Sequence, residues 1–594
     1  MSNDKENKKN IFSRRIFLLG TGKFLILLIL IGRLFYLQLL QYFNYHKLSD
    51  KNRIRVSRSI PLRGHILDRK AKILANNRKI YNLIYEKSSK LNYHDTLHHL
   101  AALLEDEGLE STAIRKIKKS RGTRVEIASN IKWEQIIQIE ENITELPGIN
   151  VEYGYERVYN YAKEFSHVIG YVASPGSFDT NLEYFNSEIK IGKSGVEKTK
   201  QQILAGVPGI KKYEVDARGI VRRELAVHDS YPGESVNLTL DLDLQKLAAE
   251  LLADTAGCAN LIDVNTGEVL VMYSSPTFDP NMFIKGVSEK EWQKMISGET
   301  ASLMNKNISA TYPPGSIFKL VVGLAALERG VDPARKVFCQ GYYELGNRRF
   351  HCWKKTGHGH VNFLEAVARS CNCYFFETSK LIGINVIAET AKILGLGQKT
   401  LVELAQEVEG TVPNSEWLLK RYKTNWRLGD TLNASIGQGY VLSTPLQLAL
   451  LNARIASGKN IKPTIFLNNI SPVIEEIKID KKNLAILREA MFNVINVEGG
   501  TGFSNKLKDS GVDICGKTST AQVISKKNAD QNLSLKSVDY KYRNHGFFAG
   551  FGPHQNPKFA SCVVTEHEGY PRKAYKIAHN LISAASKMYT KSPL

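Results

Sequence analysis

The sequence predicts an α+β protein: an antiparallel sheet with surrounding helices, carried on an extended α+β pedestal and preceded by one transmembrane helix. Three observations predict it. A single long apolar run, Ile16 to Leu40, lies near the N-terminus. Residues 235–594 read as strands first, helices in the middle and strands last, the pattern of helices packed on an antiparallel sheet. Residues 41–234 show short β-like runs such as "IYNLIYE" and "TRVEIAS" in a polar background, with no chemistry-bearing motif. The expected divisions are a cytoplasmic tail (1–15), a signal anchor (16–40), a pedestal (41–234) and a catalytic-type domain (235–594).

The anchor comes first. Lys8, Lys9, Arg14 and Arg15 precede the apolar run, and Lys23 and Arg33 flank its uninterrupted centre. About 20 apolar residues span a bilayer, and long basic side chains near the ends reach the interface. The positive-inside rule puts the N-terminus in the cytoplasm. No small-residue cleavage site follows, so the segment reads as an uncleaved anchor. The chain carries a net charge of +21 over 594 residues. Such a balance implies an acidic partner; no helix-turn-helix, zinc-finger or RNA-binding motif accompanies it, so the membrane surface is favoured over nucleic acid.

In the pedestal, "PLRGHILDRKAKILANN" (61–77) has turn residues around an alternating core and predicts a hairpin. Tyr93 to Asp106 predicts a helix. Beyond 232, a strand (Ser235 to Leu240) leads to a helix capped by Asp241 or Asp243. "CANLIDVNTGEVLVMYSS" predicts a hairpin turning at "NTG". Helices dominate from about 316 to 457. "DICGKTSTAQVI", "HGFFAGFGP" and "FASCVVTEHEG" return to strand, and a helix closes the chain from Lys576 to Lys591.

Three short motifs carry chemistry. "TYPPGSIFKLVVGLAALERG" places Ser316 at a helix N-terminus with Lys319 one turn along on the same face. The helix end favours negative charge there, and a lysine with a lowered pKa could accept the serine proton. Alone, this pattern more often describes an N-cap serine and a solvent lysine. Ser370-Cys371-Asn372 alone is a turn, and Lys517-Thr518 alone is a strand surface pair. In this order, 54 and 147 residues apart, they form the serine acyl-transferase set Ser-x-x-Lys, Ser-x-Asn, Lys-Thr-x.

With these motifs, and with "RGHILDR", "HVIGYV", "SGVEKTKQQILAGVPG", "TGEVLVMYSSPTFDPN", "GHGHV", "WRLGDT" and "SIGQGYVLSTPLQLA", the chain resembles the class B penicillin-binding proteins over nearly its whole length, most closely the penicillin-binding protein 2 group of the elongation machinery. The resemblance implies the penicillin-binding serine transpeptidase fold and D,D-transpeptidation of peptidoglycan stem peptides, with binding of β-lactams. It implies Ser316 as nucleophile, Lys319 as base, Ser370 as proton relay, Asn372 as orienting amide and Lys517 as the cation that holds Ser370. Thr518 would bind the substrate carboxylate, and the N–H groups of Ser316 and Thr520 would form the oxyanion hole. It implies a SEDS-family glycosyltransferase and elongation-complex membrane proteins as partners, and a bacterial inner membrane with the catalytic domain periplasmic. The rivals are a D,D-carboxypeptidase or β-lactam hydrolase, and a non-enzymatic β-lactam-sensing scaffold. Two positions depart from the family pattern: Ser519 where the third motif normally has Gly, and Ala71 where glycine is more usual.

Four of the seven cysteines fall between 339 and 373. Cys339, Cys352, His358 and Cys371 are three thiols and an imidazole, an acceptable shell for structural zinc. "VFCQGYYELGNRRFHCW" predicts a hairpin with a ligand at each end, and some penicillin-binding protein 2 homologues carry a metal ligand set in this region. A Cys339–Cys352 disulfide and buried free thiols are the other readings, and His360 is the substitute ligand. Cys258, Cys373, Cys515 and Cys562 read as core residues.

Overall fold

The computed structural model describes residues 3–43, 54–87, 92–120, 124–176, 189–215, 221–297, 302–467, 474–507, 511–521 and 539–590. Their contacts divide the chain into two compact units, 1–62 with 206–232, and 63–205 with 233–594.

The first unit holds a helix, Asn3–Phe35, that continues as a π-helical turn over Tyr36–Leu40. The stretch Ile16–Leu40 is long and apolar enough to cross a membrane, and all its residues but the half-buried Leu37 are exposed. The unit also holds a three-stranded antiparallel sheet of Ile54–Ser59, Gly209–Val215 and Val221–His228.

The second unit begins with the predicted pedestal hairpin. Ile66–Leu67 pairs antiparallel with the long strand Ile73–Glu86, which also pairs with Arg124–Ala128 and Ile149–Tyr159. Asp68 accepts the N–H groups of Lys70 and Lys72 and closes the hairpin turn. That turn holds Ala71 at a φ of 58°, the left-handed region that explains why glycine suits the position. The expected helix is present as Tyr93–Leu103. Glu197 is fully buried between Arg63 and Arg157, at 2.6 and 2.7 Å. Arg157 also donates to the Gly64 carbonyl, and Arg63 to Gln201. Three distant segments are thereby fixed by one carboxylate.

The other layer is a five-stranded antiparallel sheet: β1 (Gly257–Asp263), β2 (Val269–Ser275), β3 (Cys515–Ala521), β4 (His545–Gly552) and β5 (Phe559–Thr565), in the spatial order β2-β1-β5-β4-β3. The β1–β2 hairpin turns at "NTG", where Asp263 accepts the N–H groups of Asn265 and Thr266. One face of the sheet packs on α1 (Leu242–Leu251) and α6 (Arg572–Thr590). Asp241 is the α1 cap and accepts from Asp243 and Leu244, so the first of the two candidate caps is the one used. The other face packs on α4 (Pro445–Ser457) and α5 (Lys481–Asn496). Packed on α5 is α2 (Lys319–Glu328), buried almost throughout, and against α2 lies α3 (Asn372–Ile382). The strand β3 lies at the sheet edge, open on one side to the motifs carried by α2 and α3.

The buried carboxylate of the pedestal gives a first test. Glu197→Ala leaves two guanidinium groups buried without their partner, so it costs about 3–5 kcal/mol. Thermal unfolding of the detergent-solubilised protein checks this; an unchanged transition contradicts the role assigned to Glu197.

Candidate active site and thiol cluster

The turn before the nucleophile is fixed from both sides. Tyr312 and Ser443 exchange backbone hydrogen bonds. Gly315 donates to the Gly437 carbonyl at 3.1 Å, and a Cβ on Gly437 would lie 2.2 Å from the Gly315 oxygen. Only glycine permits that approach. Gly315–Phe318 then makes a 3-10 turn that runs into α2, so Ser316 and Lys319 sit on consecutive turns of one helical segment.

Ser370 Oγ donates to Ser316 Oγ at 2.9 Å. Lys319 Nζ donates to Ser370 Oγ at 3.2 Å, to the Ser370 carbonyl at 2.9 Å and to Asn372 Oδ1 at 2.6 Å. Among the described residues no hydrogen bond joins Lys319 directly to Ser316; Ser370 is the link. Burial of Lys319 holds its pKa down to about 8, with the nearby thiols opposing the shift. Two of its three partners are carbonyl-type oxygens that only accept. The third is a hydroxyl that also donates. A neutral Lys319 can therefore keep both carbonyl contacts and turn its lone pair toward Ser370.

Lys517 is fully buried on β3, and desolvation, followed by the charge on Lys319, pushes it well below its ordinary range. It bonds the Thr518 carbonyl at 3.3 Å. No hydrogen bond joins it to Ser370 among the described residues. Thr518 Oγ1 pairs with Thr501 Oγ1 at 2.9 Å, and Thr501 in turn donates its N–H to the Ala368 carbonyl. Thr520 is partly exposed two residues along the edge strand. The Ser316 N–H, expected to point at an oxyanion, donates instead to Ser519 Oγ at 2.8 Å.

Ser370 takes a φ of 57°, a left-handed conformation that costs a non-glycine residue about 1 kcal/mol or more. Neighbours from the preceding hairpin hold it. Trp353 Nε1 donates to the Arg369 and Ser370 carbonyls, both at 3.1 Å. Asn372 donates Nδ2 to the His351 carbonyl and its N–H to Cys352 Sγ. His351, Trp353 and Thr501 carry no motif of their own. They act on backbone groups brought close by folding, and no sequence signal marked them.

The predicted hairpin is formed by Tyr342–Leu345 and Arg348–His351, and Val337–Cys339 pairs with Gly359–Val361. This pairing brings Cys339, Cys352, His358 and Cys371 together, with their ligand atoms all within 4.8 Å of one another. His358 Nδ1 lies 3.6 Å from Cys339 Sγ and from Cys352 Sγ. Donors at zinc bond lengths on tetrahedral corners sit roughly 3.5–3.8 Å apart, so the set fits zinc. All seven cysteines are free thiols, which excludes the Cys339–Cys352 disulfide in this structure. Hydrogen bonds from Cys371 and Cys373 hold the Cys352 thiol far below its usual range, and the contact with Cys352 pushes Cys371 up to about 12 and raises Cys373. Cys373, expected to be plain packing, thus borders the cluster. His360 lies outside it, exposed and against Phe338.

Residues 257–586 match the penicillin-binding protein transpeptidase domain, and residues 58–238 the penicillin-binding protein dimerisation domain. The chain is 35% identical to the peptidoglycan D,D-transpeptidase MrdA of Acinetobacter baumannii, over 97% of this chain and 88% of that protein. The Helicobacter pylori PBP2 solved in complex with MreC superposes with a TM-score of 0.79 at 29% identity, covering 91% of this chain and 99% of that one. A chain from a peptidoglycan synthase complex, in a study of coordinated polymerization and crosslinking, superposes with a TM-score of 0.70 at 27% identity, covering 98% of this chain and 99% of that one. The chain belongs to the penicillin-binding protein family, within its MrdA (PBP2) group of peptidoglycan D,D-transpeptidases.

Proposed function

We propose that this chain crosslinks peptidoglycan stem peptides during cell elongation by acyl transfer through Ser316. The observation that carries the reading is the hydrogen-bonded chain from Ser316 Oγ through Ser370 Oγ to a depressed, buried Lys319.

Ser316 Oγ attacks the carbonyl carbon between the two terminal D-Ala residues. Its proton passes to Ser370, whose own proton passes to Lys319. The carbonyl π pair moves onto oxygen, where backbone N–H donors stabilise it. Collapse breaks the C–N bond, and the departing D-Ala amine takes the proton back through the same relay. An amine of a second stem peptide then attacks the acyl-serine. It gives its proton to the relay, forms the new amide and releases Ser316, which is reprotonated. Water in place of the amine is the carboxypeptidase side reaction. With a β-lactam the leaving nitrogen stays tethered to the acyl group, so the acyl-enzyme persists. Thr518 holds the carboxylate of either ligand at the edge of β3, and the Thr520 N–H is the second donor to the oxyanion.

The basic residues before the anchor support an N-terminus in the cytoplasm and a catalytic domain at the outer face of the bacterial inner membrane. The relatives solved with MreC and within a synthase complex support elongation-complex membrane proteins and a SEDS-type glycosyltransferase as partners.

The thiol cluster is assigned to structural zinc held by Cys339, Cys352, His358 and Cys371. When bound, the metal supplies a fixed charge that keeps the thiolates and imidazole together. The chain itself does the positioning: Cys371 lies between the relay Ser370 and Asn372, and Cys352 accepts the Asn372 N–H. The hairpin that carries Cys352 also carries Trp353 and His351, which hold the Ser370 turn.

Three outcomes test these statements. Fluorescent penicillin labels the wild type and not Ser316→Ala; full labelling of that variant overturns the nucleophile. Because Lys319 acts only when neutral, the second-order acylation rate rises with pH through an apparent pKa of about 8 and levels above it. A rate flat from pH 6.5 to 9 removes Lys319 as the base. Protein purified under reducing, non-chelating conditions contains about one zinc per chain by elemental analysis, and Cys339→Ser lowers both metal content and acylation. A stoichiometry near zero in the wild type rejects the metal.

A further inference from the structure

Ser519 is the departure of the third motif, and its hydroxyl lies directly on the nucleophile's backbone. Ser519 Oγ accepts the Ser316 N–H at 2.8 Å and donates to the Pro314 carbonyl at 2.9 Å. The side chain is 3% exposed, so no water competes for these bonds. Gly315 takes a φ of 55° directly above it; a Cβ there would lie 2.4 Å from Ser519 Oγ. The hydroxyl therefore fills the space between the edge strand and the turn of residues 314–316.

The first N–H groups of a helical segment have no partner within it, which leaves the Ser316 amide available to an oxyanion. Here that amide already has an acceptor. We propose that the Ser519 hydroxyl is a latch on the oxyanion hole, holding the Ser316 N–H in the resting enzyme and yielding it only as negative charge develops on the scissile oxygen. This inference rests on Ser316 being the nucleophile. An oxyanion is a stronger acceptor than a neutral hydroxyl, so it takes the N–H in the transition state. The barrier then includes the loss of the Ser519 contact. Ground-state ligand binding does not use the N–H in this way and carries no such term.

The latch has a kinetic signature. Acylation and deacylation both pass through a tetrahedral oxyanion at the same carbon, so both are slowed by the same contact. The size is that of one neutral hydrogen bond, about 2- to 10-fold in rate. Ser519→Gly removes the hydroxyl and the Cβ, and Ser519→Ala removes the hydroxyl alone. The full-length protein is reacted with benzylpenicillin, and the dissociation constant of the encounter complex, the acylation rate and the hydrolysis rate of the acyl-enzyme are measured separately. In both variants the two rates rise together by about 2- to 10-fold, with the dissociation constant unchanged. Rates unchanged or lowered in Ser519→Ala, or a change confined to the dissociation constant, overturn the latch. Should the wild type form no acyl-enzyme at Ser316, the parent reading falls instead, which separates the two failures.

Discussion

Lys319 is fully buried with two carbonyl oxygens and one hydroxyl around its Nζ, and no carboxylate pairs with it among the described residues. A lone ammonium in such a place is costly, and the group answers by lowering its pKa. That response is what the chemistry requires, because only the neutral amine can take a proton from Ser370. A carboxylate beside Lys319 would stabilise the cation and remove the base. Lys517, buried on the neighbouring strand with no carboxylate paired to it among the described residues, is itself pushed down by desolvation and then by the charge on Lys319. The fold must then supply the stability these two lysines do not. It does so through the packed faces of the five-stranded sheet, whose five strands are buried almost throughout.

The arrangement around Lys319 explains the backbone strain beside it. To present its carbonyl and its hydroxyl to one ammonium, Ser370 must turn left-handed. A serine does not hold that conformation by itself. The indole of Trp353 bridges the two carbonyls of the turn, and the Cys352 thiol accepts the Asn372 N–H. Both come from the hairpin that also carries the cysteine and histidine cluster. The cluster thus lies beside the Ser370 turn, with Cys371 next to Ser370 in sequence and Cys352 in contact with the Asn372 N–H.

The sequence made the fold class, the hairpin turns at "NTG" and near Asp68, the sheet and the terminal helix legible, since each rests on local periodicity or turn chemistry. The motif serines and lysines were legible by order and spacing. What was not legible depends on contacts between distant segments. Lys319 reaches Ser316 through Ser370, not directly. Trp353, His351 and Thr501 act on backbone groups, which no spacing rule marks. Cys373 borders the thiol cluster because α3 begins at Asn372 and turns it inward. Ala71 was visible as a departure, and its left-handed φ shows why the position matters.

Strand periodicity separates the roles along β3. Successive side chains alternate between faces, so Lys517 and Ser519 share the side turned toward the elements that carry Ser316 and Lys319, while Thr518 and Thr520 share the other. Being at the sheet edge, β3 offers unpaired backbone groups to an extended ligand without breaking the sheet. A change at 518 or 520 then falls on one face of the strand, and a change at 519 falls beside the backbone of Ser316. A serine at 519 leaves Thr518 and Thr520 in place and gives the Ser316 amide a hydroxyl acceptor. The substitution is thus compatible with an intact transpeptidase, because it removes no member of the hydrogen-bonded set Ser316, Ser370 and Lys319.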